Sequence, residues 1–183
     1  MDQPELTTHF RGRFLELVSV RTDWGGEWEF VRRTNCERAV VILGITPDGQ
    51  VPLVHQLRPP VGEPVWELPA GLMDNPAETM EETARRELLE ETGYEAEQII
   101  LAGFCPASPA SSTLILDFVL ATGLRWVGIS RGDEGHEIHV ELVPLGELPT
   151  LLYERMMAGE LVDMRIWGML KLVEDHLSEH LPG

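Results

Sequence analysis

Cysteine is scarce in this chain. Only Cys36 and Cys105 are present among 183 residues, far apart and in no metal-ligand spacing. They offer no disulfide framework, and they suit a reducing, cytoplasmic compartment. Positive charge is scarce too. Fourteen Lys and Arg face 31 Asp and Glu, which leaves a net charge of −17. The basic residues are scattered, so no patch is formed to hold nucleic acid or an anionic membrane. No apolar run approaches membrane-spanning length. The segment Met1-Asp2-Gln3-Pro4-Glu5 has neither the positive end nor the apolar stretch of a signal peptide. Internal repeats and low-complexity segments are absent. What is present is ordinary for a globular protein: 43% apolar and 25% charged residues. The length suits one compact domain, or one domain with a small appendage.

Strand and turn signals alternate over the first seventy residues. Residues 10–20 and 27–33 read as two strands of a hairpin, turned by Asp23-Trp24-Gly25-Gly26. Val40-Val41-Ile42-Leu43-Gly44-Ile45 reads as a buried strand. Pro47-Asp48-Gly49 turns the chain into a strand from Val51 to Gln56, and three prolines make 59–64 a loop. Val65 to Leu68 is a short strand, broken by Pro69-Ala70-Gly71. A helix follows over 76–92, with Asn75 as N-cap, Pro76 at the first position, Glu78 completing a capping box and Gly93 at C′. Further strands are expected at 99–104, 114–121 and 138–143, and helices at 146–158 and 163–180. Short strands with late helices point to an α/β sandwich, and the N-terminal strands to a small separate sheet.

The 76–92 helix is charged against its own dipole. Glu87, Glu90 and Glu91 share one face in its last turn and a half. Carboxylates at a helix C-terminus cost about 0.3–1 kcal/mol each, and their mutual repulsion adds a few tenths. A solvated acidic face explains this in the bland case. A site for hard divalent cations explains it better where carboxylates crowd, because oxygen ligands suit Mg²⁺ and a bound cation reverses the repulsion.

Spacing favours the cation. From Glu78 the chain reads E-x7-R-E-L-L-E-E-T-G-Y. This resembles the Nudix box, G-x5-E-x7-R-E-U-x-E-E-x-G-U, with Glu78, Arg86, Glu87, Leu88, Glu90, Glu91 and Gly93 in register. Six fixed identities arise by chance on the order of 10⁻⁷ times per window. Two positions depart. Gly71 lies seven residues before Glu78 instead of six, and Tyr94 replaces an aliphatic residue. Gln56-Leu57-Arg58, Glu67-Leu68-Pro69-Ala70-Gly71, Gly159 to Asp163, and Pro109, sixteen residues after Gly93, are similar to the ADP-ribose pyrophosphatase branch of that family. The resemblance implies a Nudix-type α/β/α sandwich with a mixed sheet over 38–183. It also implies an N-terminal antiparallel subdomain over 1–37 that takes part in a homodimer.

It implies roles as well. Glu87 and Glu91 would hold Mg²⁺ or Mn²⁺ with the Ala70 carbonyl, and Glu90 would hold or brace it. Arg86 would orient a neighbouring glutamate. Glu137 or Glu134, in the loop before a late strand, would be the general base, Glu137 preferred. Arg58 would bind phosphate, and Glu67 would hold substrate or brace the metal site. Arg33 would reach a phosphate across a dimer, and Trp28 would offer a stacking surface for a base. Glu78 and Gly93 are explained by capping alone. Relatives of the branch carry an acid five residues after the Pro109 position, where this chain has Leu114.

The implied activity is metal-dependent hydrolysis of the diphosphate bond of a nucleoside diphosphate sugar, with ADP-ribose leading. Another nucleotide derivative (a different sugar, a dinucleotide, coenzyme A, capped RNA) or a non-catalytic nucleotide-binding module are the alternatives. The presence of all three box glutamates weighs against the last. The absence of a basic patch weighs against long RNA.

Overall fold

In the computed structural model, residues 5–128 and 138–180 are described, with side chains to Glu174. Strands β1 (Leu6–Arg11), β2 (Leu15–Arg21) and β3 (Glu27–Arg33) form an antiparallel sheet in that order. The segment expected as one strand over 10–20 is therefore two. Gly12 turns the chain, its N–H donating to the Leu15 carbonyl at 2.8 Å, and a third strand is gained. Two strands alone are marginal, so the extra strand matters. β3 is also tied to the body of the protein. Val31 exchanges backbone bonds with Ser111 and Thr113, and Trp28 Nε1 donates to the Ala110 carbonyl at 2.9 Å.

Strands β4 (Arg38–Ile45), β5 (Gln50–Arg58), β6 (Glu63–Glu67) and β7 (Ala70–Leu72) follow, then helix α1 (Met80–Thr92). After it come β8 (Tyr94–Glu95), β9 (Gln98–Pro106), β10 (Ile115–Thr122), β11 (Arg125–Trp126) and β12 (His139–Pro144). Helix α2 (Leu148–Met157), β13 (Leu161–Val162) and helix α3 (Arg165–His180) complete the order. One mixed sheet runs β7-β4-β10-β9, with β4 and β10 parallel; a second runs β12-β5-β6-β13, with β6 and β13 parallel. β8 and β11 form a small separate ribbon, which the sequence reading did not anticipate.

The apolar run of β4 is buried on both faces, which is why it is continuous and not alternating. Its Val40 and Ile42, with Val119 and Ala121 of β10, pack against Ala84 and Leu88 of α1. Its Val41 and Leu43 face the other way, towards Leu53, Trp66, Leu152 of α2 and Ile166 and Met169 of α3. The result is an α/β/α sandwich. Leu88 is fully buried, so it contributes about 1.5–3 kcal/mol and fixes the rotation of α1. Among the described residues no helix is long and apolar enough to cross a membrane.

The start of α1 differs from expectation. Its N-cap is Thr79, not Asn75, and the capping box is Thr79 with Glu82. Thr79 Oγ1 accepts from the Glu82 N–H at 3.2 Å, and the Glu82 carboxylate accepts from the Thr79 N–H at 2.8 Å. Asn75 instead closes a turn, with the Glu78 N–H on its carbonyl at 3.0 Å and the Ala77 N–H on its side chain at 3.1 Å. Two capping signals stand in tandem, and only the second is reciprocal to the backbone. Glu78 is thereby freed for another contact. Gly93 ends the helix as expected, at φ +76°, with its N–H on the Leu89 carbonyl.

Candidate active site

Because Ala84 and Leu88 face the sheet, the next positions around α1 face its rim. Glu87, Glu90 and Glu91 line a cavity of about 680 Å³, with Arg86 and with Ala70, Gly71 and Leu72 of β7 also in its lining. The glycine lets the carboxylate sit close: a Cβ at Gly71 would overlap the Glu87 carboxyl group and push that side chain aside. Glu91 accepts a hydrogen bond from the Ala70 N–H at 3.0 Å. β7 and the end of α1 are thus locked together at the point where the carboxylates gather.

Arg86 ties the acidic group internally. It donates to Glu87 at 2.7 Å, to Glu90 at 3.3 Å and to Glu78 at 3.1 Å. Glu78 is therefore not a cap. Its carboxylate also accepts from Asn75 at 2.8 Å, and that bond, followed by Arg86, holds its pKa below the usual range. Burial opposes the charge of Arg86, but Glu87 and Glu78 outweigh it and hold the guanidinium above its ordinary pKa.

The deeper carboxylates behave differently. Burial pushes Glu91 up to about 8, and the bond from Ala70 only partly opposes it. Burial raises Glu87 too, against the pull of Arg86. No basic residue occupies the last turn of α1 to compensate. These are carboxylates in poor solvent without enough positive charge.

Cations share the same cavity. Arg33, Arg58 and Arg165 all line the cavity, as do Gln56 and the apolar Leu114, Leu116 and Ile138. Arg58 donates to Glu67 at 2.6 Å. Arg165 Nε donates to Asp163 at 2.6 Å, and its Nη2 lies 3.9 Å from Glu67. Glu67 is buried, and that burial raises its pKa against the influence of Arg58. Arg33 makes no ion pair with any described carboxylate, and its Nε is buried without an acceptor. It lies along the cavity of its own chain.

The expected site residues thus divide. Ala70, Arg86, Glu87, Glu90, Glu91, Arg58 and Arg33 come together in one cavity. Glu67 stands behind Arg58. Trp28 and Pro109 are not among the lining residues; Trp28 is half exposed and meets Trp24 edge-on. Glu134 and Glu137 lie outside the described residues. Leu114, at the position where an acid was expected, does line the cavity. Gln56, Asp74 and Arg165 were missed. For Arg165 a signal existed. A cation at the first position of a helix opposes the dipole, as the glutamates of α1 do at the other end.

Among the described residues, no three Asp, Glu, His or Cys side chains already surround one point fit for an ion. Arg86 draws Glu87 and Glu90 to itself, while Glu91 turns to Ala70. The donor chemistry nonetheless fits a hard divalent cation. Glu87 and Glu91 supply anionic oxygens in a place whose burial resists their charge.

Residues 37–161 match the family model described as the NUDIX domain. The chain is 36% identical over 136 residues to an ADP-ribose pyrophosphatase of Mycobacterium tuberculosis, covering 72% of this chain and 63% of that protein. It therefore spans less than two thirds of that relative's length. It is 34% identical over 151 residues to an ADP-ribose pyrophosphatase of Bacillus subtilis, covering 80% of each. A crystal structure of an ADP compounds hydrolase superposes with a TM-score of 0.77 at 24% identity, over 97% of this chain and 94% of that one. That last likeness is one of fold.

Proposed function

The chain belongs to the Nudix family, and on that premise we propose that it is a pyrophosphohydrolase of nucleoside diphosphate sugars. The leading substrate is ADP-ribose, cleaved with Mg²⁺ or Mn²⁺ to AMP and ribose 5-phosphate. The observation that carries this reading is the mixed lining of one cavity. Glu87, Glu90 and Glu91 share a space of about 680 Å³ with the guanidiniums of Arg33, Arg58, Arg86 and Arg165. A cation on the glutamates and a diphosphate on the guanidiniums would be neutralised within the same cavity.

Glu87, Glu91 and the Ala70 carbonyl hold the cation in this reading, with Glu90 as a ligand or brace. When bound, the cation lowers the pKa of the attacking water and neutralises phosphate charge. Arg86 fixes the directions of Glu87 and Glu90 through its bonds to both. Arg58 and Arg33 bind phosphate oxygens, for which the guanidinium fork is suited. Glu67 keeps Arg58 in place. Trp28 offers a face to the base, and the loop of Pro109 carries the backbone to which Trp28 is bonded. Glu137, or Glu134, accepts the proton of the attacking water; Ile138, next in sequence to Glu137, lines the cavity.

The N-terminal subdomain, residues 1–37, joins two copies into a homodimer in this account, with 38–183 as the hydrolase domain. The motivation is exposed apolar surface: Phe10, Phe14, Leu15, Leu17 and Trp24 are all open to solvent in one chain. Two free cysteines suit a cytoplasmic setting. Leu114 favours a second substrate reading, a different sugar, because it puts an apolar group where an acid would contact a hydroxyl. A panel of nucleoside diphosphate sugars with Mg²⁺ or Mn²⁺ tests both. Release of nucleoside monophosphate from ADP-ribose supports the first, and release from another sugar alone supports the second. Release from none refutes the reading.

A further inference from the structure

Buried polar groups in folded proteins are almost always hydrogen-bonded, so an exception asks for an explanation. Among the described side chains three buried polar atoms have no partner: Arg33 Nε, Gln56 Nε2 and Arg155 Nε. The first two line the same cavity. The third belongs to a guanidinium that packs over the Trp66 ring and already binds Glu141. Gln56 is the informative one. It is 8% exposed, and leaving its carboxamide donor unpaired costs about 1–3 kcal/mol in a fold that could have placed Leu or Met there.

The pleat gives its direction. Successive side chains of a strand point to opposite faces, so Gln56 and Arg58 share one face of β5. Val54 shares that face and pairs with Glu67 across the ladder, which puts Glu67 on it as well. His55 lies on the other face, stacked on Trp66. Gln56 therefore stands between the register positions of Arg58 and Glu67, on the face along which the Arg58 side chain reaches back to Glu67. The side chain of Arg58 is 40% exposed, against 8% for Gln56. The amide is the more buried of the two groups.

The chemistry of the two groups differs accordingly. A guanidinium suits a phosphate. A carboxamide is neutral and carries both donors and an acceptor, which suits a hydroxyl that can also give and receive. We propose that Gln56 binds a hydroxyl of the substrate's sugar and sets the preference for a sugar-bearing diphosphate. This rests on the cavity being a diphosphate site, as argued above. It assigns the sugar half to the part of the cavity lined by Gln56. A site built to bond a hydroxyl rejects a ligand that lacks it, because its own donor is then left unpaired.

The test compares wild type with Gln56→Met, which keeps the length and apolar stem and removes the amide. Two ligands share the adenosine diphosphate and differ beyond it: ADP-ribose, and the β-methyl ester of ADP, which has no sugar. Binding is measured by calorimetry, turnover by AMP release, and folding by the melting temperature without ligand. Gln56→Met should weaken ADP-ribose, in affinity and in kcat/KM, by about 10- to 100-fold. The methyl ester should change by less than about 2-fold, since it makes no such bond. The ligand-free melting temperature should hold or rise, because a buried unpaired donor is gone. An equal loss on both ligands, no loss on either, or a marked fall in melting temperature would overturn the assignment. The last would make Gln56 a structural residue. Failure of the wild type to hydrolyse either ligand would refute the hydrolase reading, while the binding comparison would still decide the role of Gln56.

Discussion

Glu91→Gln is the perturbation that separates catalytic use from structural need on α1. Gln can still accept the Ala70 N–H that Glu91 accepts at 3.0 Å, so the link from α1 to β7 survives. What is lost is a charge. Burial holds the Glu91 carboxyl at about 8, well above its ordinary 4.5. A carboxyl whose pKa is raised on folding contributes stability that is fully present below its unfolded pKa. That stability is lost as pH rises through the folded pKa. The raised value corresponds to about 2–4 kcal/mol once solvent at the open cavity is allowed for. At pH 8.5 the ligand-free variant should therefore melt above wild type, by several degrees at about 2–4 °C per kcal/mol for a chain of this size. At pH 4, below the unfolded value, the two should melt nearly together. Turnover should move oppositely, with kcat falling by at least about 10²-fold, equivalent to about 2.7 kcal/mol of transition-state stabilisation. Differential scanning calorimetry at the two pH values, with chelator, and a steady-state assay with Mg²⁺ give both numbers. A variant that melts below wild type at pH 8.5, or that keeps near-normal kcat, would refute the reasoning.

Three further outcomes follow from the same geometry. Thr79→Ala should cost about 1 kcal/mol of stability by removing the N-cap, whereas Asn75→Ala should lower the melting temperature less; the reverse order in thermal melts would restore Asn75 as the cap. Gly71→Ala puts a methyl group into the Glu87 carboxyl; kcat should fall by about 10-fold or more, given how steeply rate depends on placement, and an unchanged kcat would mean that Glu87 can turn away at no cost. The protein should run as a dimer in light scattering at micromolar concentration, and Phe10→Ser with Phe14→Ser should weaken it; a wild-type monomer would leave the exposed N-terminal face without its proposed partner.

Much of this was legible in the sequence, for identifiable reasons. β4 was readable because a run buried on both faces leaves a continuous apolar stretch. The end of α1 was readable because Glu87, Glu90 and Glu91 violate a local electrostatic rule, and Gly93 is the residue that the left-handed cap prefers. The start of α1 was not, because Asn75–Glu78 and Thr79–Glu82 are overlapping capping signals. Only the fold shows that Arg86 claims Glu78. The split of the first strand was signalled by Gly12 but masked by apolar residues on both sides of it. Arg165 could have been found by applying the dipole argument to α3. Gln56 could not. A neutral amide in a strand breaks no local rule, and its unpaired donor exists only once β5 is placed against the cavity.

The central claim is that the glutamates of α1 act through a divalent cation on a sugar-linked diphosphate. The most direct measurement is product analysis of ADP-ribose incubated with protein after exhaustive chelation, and again after Mg²⁺ is restored. The account predicts no cleavage in the first case, and equal amounts of AMP and ribose 5-phosphate in the second. Full cleavage with the chelator present, or an intact diphosphate with Mg²⁺ restored, would contradict it.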